Sequence, residues 1–127
     1  MDGTTRTVDK LAPHRLISAD RVQGTAVYNG KGEKLGTIEN VMIDKISGHV
    51  AYAIMAFGGF LGIGDKQHPL PWDVLDFDTD KGGYVVDLDR QQLMDAPQIN
   101  AHDTVLWTDN KWHDDVHKYY GVPPTWL

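Results

Sequence analysis

The chain has 127 residues, with 12 Lys plus Arg against 18 Asp plus Glu, a formal net charge of −6 and no cysteine. That length suits one domain burying roughly two-thirds of its unfolded surface, and the missing cysteines exclude disulfides, thiol nucleophiles and Cys-based zinc sites. The acidic balance, with no Lys/Arg cluster, opposes phosphate backbones, so nucleic acid is not an expected partner.

The N-terminal stretch MDGTTRTVDKLAPHRL carries neither an apolar core segment nor a small-residue cleavage site, so it does not read as a secretory signal. Residues 1–15 are expected to be a flexible segment, and the location cytoplasmic. The apolar run VAYAIMAFGGFLGIG, Val50 to Gly64, falls short of the ~20 residues a helix needs to span a bilayer. Its glycines also oppose helix formation, which predicts a buried strand followed by a turn.

From Gly24 to Leu88 short β-prone runs alternate with turn chemistry, which predicts a small all-β unit. GTAVYN ends at Asn29-Gly30-Lys31-Gly32, a hairpin signal. In KLGTIENVMIDK, Ile38 and then Val41 and Ile43 fall on one apolar face, so the phase of two slips near Asn40 and a β-bulge is expected there. ISGH turns the chain into HVAYAIMAF, where Val50, Tyr52 and Ile54 share one face. Ala51, Ala53, Met55 and Phe57 form the other, read as an apolar outer face that something must cover. Pro69 and Pro71 confine their strand to a sheet edge, because proline donates nothing to a ladder.

Asp89 three residues before Gln92 spells a capping box, and Leu88 with Leu93 a hydrophobic staple, so a short helix is predicted from Arg90 to about Asp95, ending before Pro97. The tail holds Trp107, Trp112, Tyr119, Tyr120 and Trp126. Trp112, Val116 and Tyr119/Tyr120 recur at helical spacing, Gly121 can end that helix and Pro123-Pro124 prevents its restart. This aromatic helix is the expected cover for the Val50–Phe57 strand.

Three motifs imitate chemistry. AFGGFLGIGDK has Gly59 and Gly64 at P-loop spacing, but Asp65-Lys66-Gln67 follows, where a P-loop has Lys and a hydroxyl for magnesium. A wide hairpin turn is the plainer reading, with Phe60, Leu61 and Ile63 at its tip. DFDTDKGGYVVD sets Asp76, Asp78 and Asp80 at calcium-loop positions with Asp87 at the twelfth, yet Lys81 stands where glycine belongs and the flanks are strands. An acidic, solvated hairpin accounts for it. HDDVH places His113 and His117 one helical turn apart, as in zinc proteases, with Asp for the usual Glu and only distant His102 as a third ligand. A solvated or partly packed helix face is the competing reading. Ser18 and Ser47 are the only serines, and neither lies in a nucleophile elbow.

Gly24 with Val27, Gly32 and Gly36 around GEKLG, Asp44 before a glycine turn, the GGFLGIG loop and PLPWDVL follow one another along the chain. Their order resembles the PRC-barrel family, named for the cytoplasmic domain of the photosynthetic reaction centre H subunit; the C-terminal domain of the ribosome maturation factor is similar. The resemblance covers about Leu16 to Ile99. It implies a mainly β fold, a PRC-type barrel over 16–99 with a short helix after its last strand, and an aromatic-rich helical extension over 100–127 packed on it. It also implies a docking module with no catalytic residue and no cofactor, binding a protein, self-associating as a homo-oligomer such as a dimer, or joining a membrane-associated complex. Phe57, Phe60, Leu61, Ile63 and Met55 are the candidate partner-binding residues. The alternatives are a metal- or ligand-binding protein or enzyme using His113 and His117 or the Asp76–Asp87 loop, and a ribosome or RNA-processing accessory factor.

Overall fold

A computed structural model describes residues 16–57, 66–100 and 105–124. Helix α1 (Ala19–Val22) leads into β1 (Ala26–Tyr28), β2 (Lys34–Ile43), β3 (Val50–Phe57) and β4 (Lys66–Pro71). A 3-10 turn (Trp72–Val74), β5 (Asp76–Asp78), β6 (Gly83–Val85), α2 (Arg90–Met94) and β7 (Ile99–Asn100) follow. A second 3-10 turn (Val105–Thr108) then precedes α3 (Asn110–Tyr120). Among the described residues the strands form one seven-stranded sheet in the order β5-β6-β1-β2-β3-β4-β7. Neighbouring strands are antiparallel except β6, which lies parallel to β1 after the β5–β6 hairpin returns the chain to the start of the sheet.

Local chemistry sets these elements. The Asn29 side chain accepts from the amides of Lys31 and Glu33, and Gly32 takes a positive φ of 84°, closing the β1–β2 turn. The expected bulge is present: Ile38 pairs with Met55 and Asn40 with Ile54, leaving Glu39 unmatched. A second irregularity, between Met42/Tyr52 and Ile43/Val50, leaves Ala51 as the extra residue on β3. These bulges bend the long β2–β3 ribbon, so that the sheet curls around its own interior. β4 has β7 as a second neighbour only at Lys66 and Gln67, and the prolines lie beyond that pairing, as missing ladder donors require.

The interior holds Val27, Leu35, Ile38, Ala53, Met55, Leu70, Leu75, Tyr84, Val86 and Leu93. Helix α2 seals one part of it: Asp89 and Gln92 form the reciprocal capping box, and Leu88 and Leu93 both pack into the barrel core. Asp109 caps α3 by accepting from the amides of Lys111 and Trp112, and Gly121 ends it with φ 73°. Helix α3 packs across β3 and β4 over a second apolar cluster of Ala51, Tyr52, Ile54, Ile99 and Val116, flanked by Trp107, Trp112 and Tyr120.

Here the sidedness of β3 differs from the sequence reading. Ala53 and Met55 point into the barrel and Phe57 packs against the same core, whereas Tyr52 and Ile54 meet the tail helix. The physical reason is the Tyr52 hydroxyl. A buried tyrosine needs a partner for its O–H, and the helix supplies one. Small Ala53 and adaptable Met55 suit the tight barrel interior instead. Ala51, the bulge residue, sides with Tyr52, which breaks the alternation on which the outer-face reading rested. Ile43 is likewise half-exposed and does not share the buried face of Ile38.

Candidate functional site

The densest assembly of polar and aromatic side chains lies between β3 and α3. Along α3 the buried residues His113, Val116 and His117 follow the i, i+3, i+4 pattern, with Tyr120 continuing it toward the helix end. His113 and His117 are each only 3% exposed, so of the solvated and partly packed readings of the HDDVH face the packed one describes the histidines: they point inward, and Asp114 and Asp115 point to water. Trp112 sits at the margin and Tyr119 lies largely outside, where its hydroxyl donates to the Gln92 carbonyl of α2.

Tyr52 is the hub. Its ring stacks on His113 with centroids 5.6 Å apart, and lies 5.4 Å from His117, 5.8 Å from Trp107 and 6.0 Å from Trp112. The Tyr52 hydroxyl stands 2.7 Å from His113 Nδ1, and His113 Nε2 stands 3.0 Å from the Trp107 carbonyl oxygen. A carbonyl only accepts, so Nε2 carries the proton and Nδ1 accepts from Tyr52. Both ring nitrogens of His113 are thus engaged, Nδ1 joining the tail to the barrel and Nε2 tying α3 to the 3-10 turn before it. Burial pushes the Tyr52 hydroxyl well above its ordinary pKa, and the Asp114 carboxylate adds to the shift. Burial holds His117 below its ordinary value, with His113 acting in the same direction. A hydrogen bond to the Val122 backbone and the carboxylates of Asp73 and Asp114 pull the other way.

On the barrel side of the sheet His68 is buried beside the Phe57 ring, 5.6 Å between centroids. Its Nδ1 has no hydrogen-bond partner among the described residues. Burial lowers its pKa, against a hydrogen bond to the Pro97 backbone.

Asp76, Asp78 and Asp80 do not converge. Asp76 and Asp80 are exposed, and Asp78 Oδ1 accepts from the amides of Asp80 and Lys81, fixing its own hairpin turn. Among the described residues no three His, Asp or Glu side chains gather as a metal site, and no helix is long and apolar enough to cross a membrane. Of the partner-binding candidates, Met55 is fully buried and Phe57 partly so, both turned toward the barrel core. Phe60, Leu61, Ile63 and His102 lie outside the described residues.

The β2–β3 hairpin carries an apolar feature that the sequence reading missed. Ile46 is 91% exposed at its tip and Ile43 51% exposed beside it. The turn beneath them is tightly tied. Asp44 accepts from the amides of Ile46 and Ser47 and, at 2.6 Å, from the Ser47 hydroxyl, while Ser47 Oγ accepts from the His49 amide. The Ser47 hydrogen bond is the main cause that holds the Asp44 carboxyl below its ordinary pKa. The available signal was a lone isoleucine inside turn chemistry, Asp44-Lys45-Ile46-Ser47-Gly48, where no packing role calls for one.

An uncharacterized protein of Deinococcus radiodurans is 26% identical to this chain over 78 residues, which are 61% of this chain and 27% of that protein. The crystal structure of a 16S ribosomal RNA processing protein, RimM, from Pseudomonas aeruginosa superposes with a TM-score of 0.40 at 19% identity, covering 64% of this chain and 49% of the other. The chain therefore spans about a quarter of the first relative and about half of the second. The family model of the PRC-barrel domain matches residues 14–93, more than half of the sequence, and the chain belongs to the PRC-barrel domain family.

Proposed function

We propose that this chain is a non-enzymatic, cytoplasmic docking module that binds another protein through the turn end of the β2–β3 hairpin. The observation that carries the reading is the exposure of Ile46 and Ile43 on a turn already locked by Asp44 and Ser47. An apolar side chain held in water on a pre-ordered backbone loses little conformational freedom on binding, which favours association. Phe60, Leu61 and Ile63, apolar by sequence and set among glycines, are a second candidate contact. The partner surface that fits such a tip is an apolar recess on another protein.

The test compares wild type with the Ile43→Asp/Ile46→Asp double variant and with the Phe60→Asp/Leu61→Asp variant. Each is used as bait in the native cell, and the captured protein is then purified and titrated directly. A partner that binds wild type and loses at least about tenfold in affinity for the hairpin variant, at unchanged melting temperature, supports the reading. Equal binding by all three folded proteins removes it.

A further inference from the structure

Helix α3 is fastened to the barrel through side chains, and two of the residues it buries are histidines. Histidine is the side chain whose ordinary titration falls nearest neutral pH, and an imidazolium cannot be buried cheaply. We infer that the C-terminal helix is an acid-sensitive cover, held on β3 while His117 is neutral and released from the barrel when His117 takes a proton. Release uncovers Ala51, Tyr52 and Ile54, an apolar sheet face closed at neutral pH.

The surroundings of His117 support that direction. Tyr52 from β3 lies against its ring, and His113 sits one turn back on the same helix, so a second imidazole opposes a positive charge there. Asp73, from the 3-10 turn after β4, and Asp114, on α3 itself, are the carboxylates that favour protonation, together with the Val122 backbone. Burial outweighs them, and the net shift is downward. The sign follows from linkage. The released helix binds the proton more tightly than the docked one, so docking is at full strength above the ordinary pKa of about 6.5 and weakens as pH falls below it toward the docked value. A histidine that stays neutral when docked favours release by at most about 30-fold between about pH 7.5 and about pH 5. His68 is a separate acid-sensitive group, but it lies beside Phe57 in the barrel, so its protonation loosens the barrel and not the cover.

Amide hydrogen exchange of the full chain, corrected for intrinsic rates and followed from about pH 7.5 to about pH 5, separates the two. The expected result is that protection of the α3 amides falls by about tenfold or more relative to the β3 amides. In a His117→Leu variant that ratio stays flat to within about twofold. Three results overturn the inference: α3 keeps its protection relative to β3 throughout, both fall together as the barrel unfolds, or the docked His117→Leu protein follows the wild-type curve. Where the leucine variant does not dock at neutral pH, His117→Gln replaces it. The wild-type profile decides even if neither variant docks.

Discussion

Tyr52 on β3 and His113 on α3, 61 residues apart in sequence, meet through a buried hydrogen bond of 2.7 Å while their rings stack. Because His113 Nε2 is committed to the Trp107 carbonyl, the Tyr52 hydroxyl is the donor that satisfies Nδ1. Tyr52→Phe keeps the ring contacts and strips that acceptor of this donor, so a loss of about 1–3 kcal/mol is expected. A double-mutant cycle with His113→Phe, read from urea midpoints at constant m, should show coupling of at least about 0.5 kcal/mol. Additive losses would mean the two residues stabilise the tail independently.

The reversal of the β3 faces makes a sharp contrast between two apolar residues. Met55 is 0% exposed among Ile38, Ala53 and Leu70, so Met55→Ala should cost about 2–5 kcal/mol through lost contacts and a residual cavity. Ile46→Asp, at the exposed hairpin tip, should change stability by no more than about 0.5 kcal/mol. Denaturation of both variants checks the assignment. Equal losses would contradict the placement of Met55 in the barrel core.

Much of this architecture was legible because its signals are local. The Asn29 turn, the slip of phase at Asn40, the Asp89–Gln92 capping box and the Gly121 stop each depend on residues a few positions apart, and the structure contains all four. The misread features depend on long-range partners. Nothing in VAYAIMAF itself shows that Tyr52 finds its acceptor on a helix far along the chain, or that Ala51 is skipped by β2. Likewise, the parallel pairing of β6 with β1 has no signal in either short strand. The inward turn of His113 and His117 was only half legible: on the helix their spacing is that of Val116's own face, but histidine is intermediate between core and surface, so a packed and a solvated face both fit the sequence.

Metal titration is a direct check on the two ligand-like motifs. His113 reaches a metal only by giving up Tyr52 at Nδ1 or the Trp107 carbonyl at Nε2, and Asp78 is already held in its own turn, with Oδ1 accepting from the amides of Asp80 and Lys81. Zinc and calcium should therefore leave the melting temperature unchanged, since a ligand that binds only the folded state would raise it. A concentration-dependent rise with zinc that is abolished by His117→Leu would reopen the helix motif. A rise with calcium abolished by Asp76→Asn would reopen the hairpin.

A glycine of the barrel, Gly36, has no room for even one added methyl group. This residue lies in β2 opposite Phe57, and a Cβ built on it would come within 2.1 Å of the Ala56 carbonyl oxygen and 3.1 Å of Met55 Cγ. The first contact is with backbone, so no rotamer change relieves it; the β2–β3 ladder itself must separate beside the Leu35 and Ile38 core. Gly36→Ala should cost about 3 kcal/mol, at the upper end of overpacking effects. Gly30, with open space where its Cβ would be, serves as the control, and Gly30→Ala should stay within about 0.5 kcal/mol. The positive φ of Gly32 sets a third case between them, strained by backbone conformation and not by crowding. Thermal or urea unfolding of the three variants should rank them Gly36, Gly32, Gly30 in order of loss, and a tolerated alanine at 36 would show that β2 and β3 do not approach this closely.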